Sequence, residues 1–207
     1  MVWLDDRRVG QSDIYAQRVS SGGLVQWAVD GVPVCTADDI QRSPAISSDS
    51  SGGAIVVWTD YRSTGADVYA QRVDSSGRVG WTENGILVSP GSLPRITEDG
   101  SGGAIIAISW QPYGLYAQRV DAEGDLRWNP AGVPICTTYS GYHRTTLISD
   151  GSGGAVVAWS DERGGGCEWD IYAQRVDSTG NTLWPEQGVA ISTAPSEQID
   201  PLAVSDG

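Results

Sequence analysis

One pentapeptide, Tyr-Ala-Gln-Arg-Val, recurs four times in this chain of 207 residues. Its copies begin at Tyr15, Tyr69, Tyr116 and Tyr172, at spacings of 54, 47 and 56 residues. Each Tyr is followed after twelve residues by a Trp and after sixteen by a Gly: Trp27, Trp81, Trp128 and Trp184, then Gly31, Gly85, Gly132 and Gly188. A period of this size is the signature of propellers and solenoids, in which one supersecondary unit is stacked repeatedly.

Each repeat predicts four β-strands and no helix. A second repeated block reads Asp-x-x-Gly-Gly-Ala and runs into short stretches rich in Val and Ile, such as 53–58, 103–108 and 154–159. These stretches are too short for helices and are bounded by Gly, so they indicate strands buried on both faces. In the second copy we predict strands A to D over 44–49, 53–60, 67–74 and about 79–89. The A–B and C–D connections have the Asp and Gly chemistry of hairpin turns.

The repeat also resembles known blades. The succession Pro44-Ala-Ile-Ser-Ser-Asp49, Gly-Gly-Ala-Ile-Val-Val-Trp58-Thr-Asp60-Tyr-Arg62 and Asp67-Val-Tyr69 resembles TolB-type propellers, a branch of the WD-repeat-like class. The Tyr-Ala-Gln-Arg-Val-Asp repeat is similar to repeats of secreted bacterial surface proteins. The resemblance implies a β-propeller and an extracellular or cell-surface parent protein. It says little about chemistry, because that superfamily includes binding scaffolds, receptors and enzymes.

The predicted architecture is a single all-β domain over 1–207, a propeller of four four-stranded antiparallel blades. Blade 1 combines 201–207 with 1–35, and blades 2, 3 and 4 cover 44–89, 94–136 and 145–192. Because Trp3 matches Trp58 and Asp206 matches Asp99, the C-terminal strand is expected to pair with the first blade and close the ring without a free edge. A monomer is expected. The alternatives are a piece of a larger propeller and two chains that exchange end strands.

Charge and composition exclude several function classes. The net charge is −13, and all thirteen basic residues are Arg, which disfavours nucleic acid and anionic membranes as partners. Cys35, Cys136 and Cys167 show neither a disulfide framework nor zinc-ligand spacing. With one His and no Lys, and without G-x-S-x-G or H-E-x-x-H, the sequence predicts no catalytic residue, cofactor or metal. A carbohydrate or protein ligand remains the expected partner.

Loop lengths indicate which side of the propeller binds. The segment from each repeated Tyr to its Gly never changes length, whereas the D–A and B–C connections absorb all the variation. These two connections emerge on the same side of a four-stranded blade, and such variation usually marks a binding face. We therefore expect the ligand on that face.

Three copies carry Trp-x-Asp-x-Arg on that face, with the charged pairs Asp5 and Arg7, Asp60 and Arg62, and Asp161 and Arg163. They are candidate ligand-binding residues, since a ring of them would form a charged collar for sugar hydroxyls or carboxylates. We favour the alternative that each pair is an ion pair holding its B–C loop. The Arg of each pentapeptide is likewise expected to bind a neighbouring carboxylate.

The Asp-x-x-Gly-Gly turns at Asp49, Asp99, Asp150 and Asp206 distantly resemble the Asp-box turns of sialidases and raise the possibility of calcium. They lack the alternating carboxylates of a calcium loop. We therefore interpret these Asp residues as turn caps.

The third copy breaks the pattern and concentrates aromatic residues. It replaces the charged pair with Trp110 and Tyr113, and the following D–A loop contains Tyr139, Tyr142, His143 and Arg144, while the next B–C loop contributes Trp169. In a ring these loops would be neighbours, so we predict one aromatic cleft for a sugar or a protein anchor. The alternative is that the rings fill the space left by a shortened loop.

The leading hypothesis is a non-catalytic binding module. The first alternative is a glycoside hydrolase-like enzyme that uses Asp5, Asp60 and Asp161 as acid and base, which requires two of them to face each other across an open pocket. The second is a structural repeat fragment without a ligand.

Overall fold

A computed structural model of the chain describes residues 1–138, 144–163 and 168–205. This part of the chain is all-β, with fifteen strands and no helix. It accordingly includes no helix with the length and apolar character to cross a lipid bilayer.

The strands form four antiparallel sheets in which each strand pairs with its neighbours in the chain, as in the blades of a β-propeller. Blade 1 contains β1 (Val2–Asp5), β2 (Asp13–Ala16) and β3 (Val32–Cys35). Blade 2 contains β4 (Gln41–Ser48), β5 (Ala54–Asp60), β6 (Asp67–Val73) and β7 (Ile86–Pro90). Blade 3 contains β8 (Ser92–Glu98), β9 (Ala104–Trp110), β10 (Gly114–Val120) and β11 (Val133–Cys136). Blade 4 contains β12 (Thr145–Ser149), β13 (Ala155–Asp161), β14 (Asp170–Val176) and β15 (Val189–Ser192).

The predicted fold class is confirmed, but strand D of the second copy begins later than expected. In blade 2 the predicted strand 79–89 is β7, which begins at Ile86, and Val79 makes only an isolated bridge to Val73. Between Val79 and Ile86 the chain does not pair with β6, and in this segment Trp81 reaches the next blade. Gly85 then returns it with a positive φ of 88°, at a point where a Cβ would lie 2.6 Å from the Trp58 ring. All four glycines at this position have a positive φ of 80–89°, which accounts for the fixed Gly sixteen residues after each Tyr.

The core lies between the blades. Every residue of β5 is buried, as the apolar run predicted, and β9 and β13 are nearly as buried. Side chains of adjacent sheets meet face to face, and Ile55 and Val57 of blade 2 share one cluster with Ile106 and Ile108 of blade 3. This burial between sheets is the main apolar contribution to stability.

The Gln of each pentapeptide is a buried polar staple. Gln118 is fully buried, its Oε1 accepts hydrogen bonds from the backbone N–H groups of Arg119 and Trp128, and its Nε2 donates to the Asn129 carbonyl. These bonds satisfy the backbone where the chain leaves the ladder after the C–D turn, so the staple holds the Trp in place.

The Arg of the pentapeptide binds two parts of the protein at once. The Nε of Arg72 donates to Asp49 at 3.0 Å, and Asp49 also accepts from the backbone N–H groups of Ser51 and Gly53. Asp99 with Arg119 and Asp150 with Arg175 repeat this arrangement. The predicted turn caps and the predicted Arg–carboxylate pairs are therefore confirmed in blades 2 to 4, while Asp206 lies outside the described residues.

A second bond from the same Arg joins consecutive blades. Arg72 Nη1 and Trp81 Nε1 both donate to the Ala122 carbonyl, in the C–D turn of blade 3, at 3.2 and 3.0 Å. We call this shared acceptor with its two donors the latch. Arg18 and Trp27 bind Ser75 in the same way, and Arg119 and Trp128 bind Ser178. Three latches thus connect blades 1 to 4 in sequence.

The predicted ring closure is not confirmed. Blade 1 has three strands rather than four, β1 has β2 as its ladder partner, and the described residues 193–205 contain no strand. In blades 2 to 4 the first strand, which we call the inner strand (β4, β8 and β12), is joined to the second strand by a short turn, such as 49–53 between β4 and β5. Residues 201–205 would have to reach β1 from the far end of the chain, with a larger entropic cost of loop closure.

We expect Gln118→Leu to destabilise the protein by about 3 kcal/mol, because the change strands two backbone N–H groups and one carbonyl in a buried position. Urea unfolding followed by tryptophan fluorescence measures the loss. Gln26→Leu is the matched control, since the Gln26 side chain is exposed and donates only to the Leu24 and Val25 carbonyls beside it in the chain. Equal stability of the two variants would contradict the role of the staple.

Candidate functional site

The face that carries the connections between second and third strands and the connections between blades is called the loop face. The charged pairs on this face are ion pairs internal to their blades. Asp60 is fully buried, and it accepts hydrogen bonds from the Trp58 indole at 2.8 Å and from the Arg62 backbone, Nε and Nη2. Asp161 with Trp159 and Arg163, and Asp5 with Trp3 and Arg7, repeat this arrangement. The favoured interpretation, ion pairs that hold the loops, is confirmed.

The same contacts determine the protonation of these carboxylates. Burial by itself would raise the pKa of Asp60, but the hydrogen bonds from Arg62 and Trp58 outweigh it and hold the pKa below its ordinary value. The pKa of Asp161 is lowered for the same reasons. A general acid of a glycosidase needs a raised pKa and access to substrate. Asp60 and Asp161 have neither, so the geometry opposes the proposed acid and base roles.

The guanidinium groups of Arg62 and Arg163 are enclosed by further contacts. Arg62 stacks on the Tyr69 ring with its Cζ 4.0 Å from the centroid, donates to the Asn84 carbonyl, and approaches Cys35 Sγ of blade 1 at 3.1 Å. Burial raises the pKa of the Cys35 thiol to about 11, which leaves the thiol protonated and unreactive at neutral pH. Arg163 stacks on Tyr172 and meets Cys136 equivalently. The Tyr of the pentapeptide is thus the platform for the Arg of the charged pair.

Blade 3 uses an aromatic stack at the equivalent position. Trp110 ends β9, where blades 2 and 4 have Asp60 and Asp161, and its ring lies 5.4 Å from Tyr116 and 4.9 Å from Tyr113. The rings are inclined at about 60°, a favourable tilted geometry. Tyr113 is 56% exposed and Trp110 is half-buried. The loop face therefore offers an accessible aromatic surface here.

A groove of about 470 Å³ lies beside this stack, between blades 2 and 3. One wall is the connection between β5 and β6, the floor is the connection between β7 and β8, and the opposite wall is the end of β9. The lining residues are Ser63, Thr64, Gly65, Ala66, Asp67, Pro90, Gly91, Ser92, Ser109, Trp110 and Gln111. Asp67 accepts a hydrogen bond from the Ser63 hydroxyl at 2.6 Å, and the Gly91 N–H donates to the Ala66 carbonyl at 2.9 Å. The groove combines one aromatic face with hydroxyl, amide and carboxylate groups.

The structure does not bring all the predicted cleft residues together. Arg144 forms an ion pair with Asp200, at 2.5 Å, in a second cavity of about 480 Å³ at the loop-face end of the inner strands. Trp169 is half-buried, and its carbonyl accepts from the Gln198 N–H at 2.6 Å. Tyr139, Tyr142 and His143 lie outside the described residues, as does Cys167. Of the predicted cleft residues, Trp110 lines the groove, and Tyr113 contacts the Trp110 ring.

The groove also brings Trp110 beside residues that the prediction did not include. The loop after β9 leans toward the connection that enters blade 3, so its groove partners come from blade 2. Ser63, Asp67 and Ser92 were consequently missed. The varying length of the loop between β5 and β6 was a usable signal, because this loop forms the wall opposite Trp110. The described residues hold no cluster of three or more His, Cys, Asp or Glu side chains arranged to bind a metal ion.

Comparison with known proteins assigns no family. No family model matches the sequence, and no curated protein matches it. A solved structure provisionally identified as a glycoside hydrolase from Bacteroides ovatus ATCC 8483 is 13% identical with a TM-score of 0.47, covering 94% of this chain and 70% of that one. A similarly identified protein from Parabacteroides distasonis ATCC 8503 is 12% identical with a TM-score of 0.49, covering 98% and 70%. A provisionally identified glycosidase from Bacteroides thetaiotaomicron VPI-5482 is 12% identical with a TM-score of 0.47, covering 99% and 70%. These similarities assign no role to any residue of this chain.

We expect Asp60→Asn to lower the free energy of unfolding by about 3 kcal/mol at pH 7, because it leaves the Arg62 guanidinium without its buried partner. Since the folded-state pKa of Asp60 is depressed, the stabilisation is complete above the unfolded pKa of about 3.9 and is lost as the pH falls below it. The difference between wild type and variant should shrink at pH 3. Urea unfolding at both pH values tests this, with the exposed Asp38→Asn as control. A difference that stays constant between pH 7 and pH 3 would contradict the assignment.

Proposed function

We propose that the protein is a non-catalytic binding module that takes a carbohydrate ligand in the groove between blades 2 and 3. The observation that carries this proposal is the replacement of the buried Asp–Arg pair by the accessible Trp110 and Tyr113 stack at one blade only. Blades 1, 2 and 4 keep the Asp–Arg ion pair, which holds their loops. The exception puts an aromatic surface beside the polar groove of about 470 Å³ between blades 2 and 3.

The groove suits a sugar in size and chemistry. Its volume of about 470 Å³ lies within the range of small-ligand sites, about 300–1,000 Å³. An indole ring offers a flat apolar face for the C–H groups of a pyranose. Ser63, Asp67 and Ser92 lie opposite with hydroxyl and carboxylate groups that match sugar hydroxyls. A neutral or cationic glycan fits best, because the protein carries a net charge of −13.

The lining argues for binding rather than cleavage. Both retaining and inverting glycosidases need two carboxyl groups about 5 to 9.5 Å apart across the scissile bond. Asp67 is the single carboxylic acid among the described residues that line the groove, and it accepts a hydrogen bond from Ser63. Asp60 and Asp161 are buried in their ion pairs. The groove therefore supplies recognition without an acid and base pair.

The proposal is tested by Trp110→Ala on a glycan array, followed by titration calorimetry with each glycan that the wild type binds. Loss of the stacking ring should weaken binding by about 2 kcal/mol, roughly thirtyfold, as for aromatic anchors at other interfaces. Tyr61→Ala is the matched control, since Tyr61 is an exposed aromatic residue of the loop face outside the groove.

An affinity that is unchanged by Trp110→Ala, or reduced equally by Tyr61→Ala, would reject the groove as the site. A wild type that binds a protein and no glycan would replace the carbohydrate by the protein ligand that the same aromatic surface could anchor. Hydrolysis of chromogenic glycosides by the wild type that is lost in Asp67→Asn or in Asp60→Asn would reject the non-catalytic assignment.

A further inference from the structure

The two ends of the blade array carry the two unmatched halves of a fourth latch. Blade 4 has the donors, because Trp184 follows the pentapeptide of Tyr172 as Trp81 follows that of Tyr69. Blade 1 has the acceptor turn, in which Ser21 corresponds by register to Ser75, Ala122 and Ser178. The other three latches are formed within the chain. The fourth is not formed among the described residues, where no hydrogen bond from the Trp184 indole is found and Arg175 binds Asp150 alone.

Burial and packing agree that both halves are open. The Arg175 side chain is 38% exposed, against 25% for Arg72 and 19% for Arg119, which are covered by the next blade. In the formed latches the turn glycine lies under the Trp, and a Cβ on Gly77, Gly124 or Gly180 would come within 2.8 to 3.1 Å of the indole. The corresponding Gly23 has no atom within 4 Å of that position. The seat for a Trp is therefore built and empty.

Contacts nearer the loop face show the same complementarity. The Thr36 N–H donates to the side chain of Asn84 in the next blade at 2.9 Å, and the Thr137 N–H donates to Gln187 at 2.7 Å. At the ends of the array the equivalent residues are Thr193 and Asp30, a donor and an acceptor again.

Between blades 2 and 3 the chain lacks both groups together, with Pro90 at the donor position and Ala131 at the acceptor position. At each boundary between blades, the donor and the acceptor are therefore either both present or both absent. Thr193 of blade 4 and Asp30 of blade 1 are both present, as at the boundaries that form this bond.

The charged pair of blade 1 also lacks its cover. Arg62 and Arg163 approach a Cys of the preceding blade, and their side chains are 23% and 19% exposed. Arg7 makes the same bonds to Asp5 but is 43% exposed, because no preceding blade lies over it. Ser192 of blade 4 occupies the position of Cys35 and Cys136 and would supply that cover.

We propose that the open face of blade 4 docks onto the open face of blade 1 of a second copy of this chain, with Trp184 on Gly23 and with Ser21 as the shared acceptor. The surfaces are different and complementary, so the contact is head to tail, and such contacts either close into a ring or continue as a polymer. Two four-bladed arcs closing on each other would leave no open blade face. The new interface would repeat one that the chain already forms three times, with the same residue types at the same positions.

Sedimentation velocity of the full chain over a range of concentrations tests the proposal. We expect a species of twice the monomer mass of 21.9 kDa. Trp184→Ala should weaken association at least about thirtyfold, as for a central Trp anchor. Leu183→Ala is the matched control, because Leu183 is an exposed residue beside Trp184 that has no part in the latch.

A second pair of variants probes the opposite surface. Gly23→Asn fills the empty seat while keeping a residue that tolerates positive φ, and it should weaken association as strongly as Trp184→Ala. Gly100→Asn is its control, since Gly100 has a similar φ and open surroundings in the turn between β8 and β9. Near-ultraviolet circular dichroism verifies that each variant is folded.

Mixing the two interface variants separates docking between copies from closure within one. Trp184→Ala retains an intact Gly23, and Gly23→Asn retains an intact Trp184, so an equimolar mixture should regain dimers with one interface each. A wild type that stays monomeric at every concentration would overturn the proposal, as would association that neither variant weakens. Dimers that do not reappear in the mixture would overturn it too.

Discussion

The latch between blades is the interaction on which the rest of the structure depends. Adjacent sheets have separate ladders, and a backbone bond between them such as Gln41 N–H to the Ser12 carbonyl is an isolated contact, so apolar packing needs further polar contacts to define their relative position. The latch fixes it, because one carbonyl in the C–D turn of each of blades 2 to 4 accepts from an Arg and a Trp of the preceding blade. The same Arg binds the Asp that caps the preceding blade's own A–B turn. One side chain therefore aligns two turns and a strand across the boundary between sheets, with its charge balanced by a buried carboxylate.

The sequence predicted most of the elements of this arrangement and not their connection. The strands followed from Val and Ile stretches between Gly-rich turns, and the Asp caps and the Arg–carboxylate pairs followed from their invariant spacing. The acceptor of the latch is a backbone carbonyl of Ser75, Ala122 or Ser178. A carbonyl has no side-chain signature, so its role could be found only from the geometry. The role of the pentapeptide Gln was missed for a similar reason, since its three partners are backbone groups.

Ring closure depends on the curvature of the blade array, and the position of the groove depends on the direction of the loop after β9. A repeat pattern in the sequence contains neither. Residues 201–205 continue the periodicity of an inner strand, but the curvature of the array decides whether such a strand can reach β1. Likewise, the pattern identified Trp110 as the exception to the charged pairs without indicating the direction in which its loop leans. That direction placed Trp110 with Ser92 of the connection from blade 2, whereas Arg144 lines the other cavity and pairs with Asp200.

The division between structure and function within the repeat follows from what each blade must supply. A buried Asp beside a stacked Arg is satisfied only when both are present, so a blade keeps the pair or loses it entirely. Blade 3 lost it entirely and gained a Trp that packs on the same Tyr platform. The latch from blade 3 to blade 4 is intact despite the loss of the ion pair, because Arg119 and Trp128 still donate to the Ser178 carbonyl. The blade can thus present a new surface on its loop face without weakening its attachment. The groove and the open faces of blades 1 and 4 share no residue, so ligand binding and association of two copies would not obstruct each other.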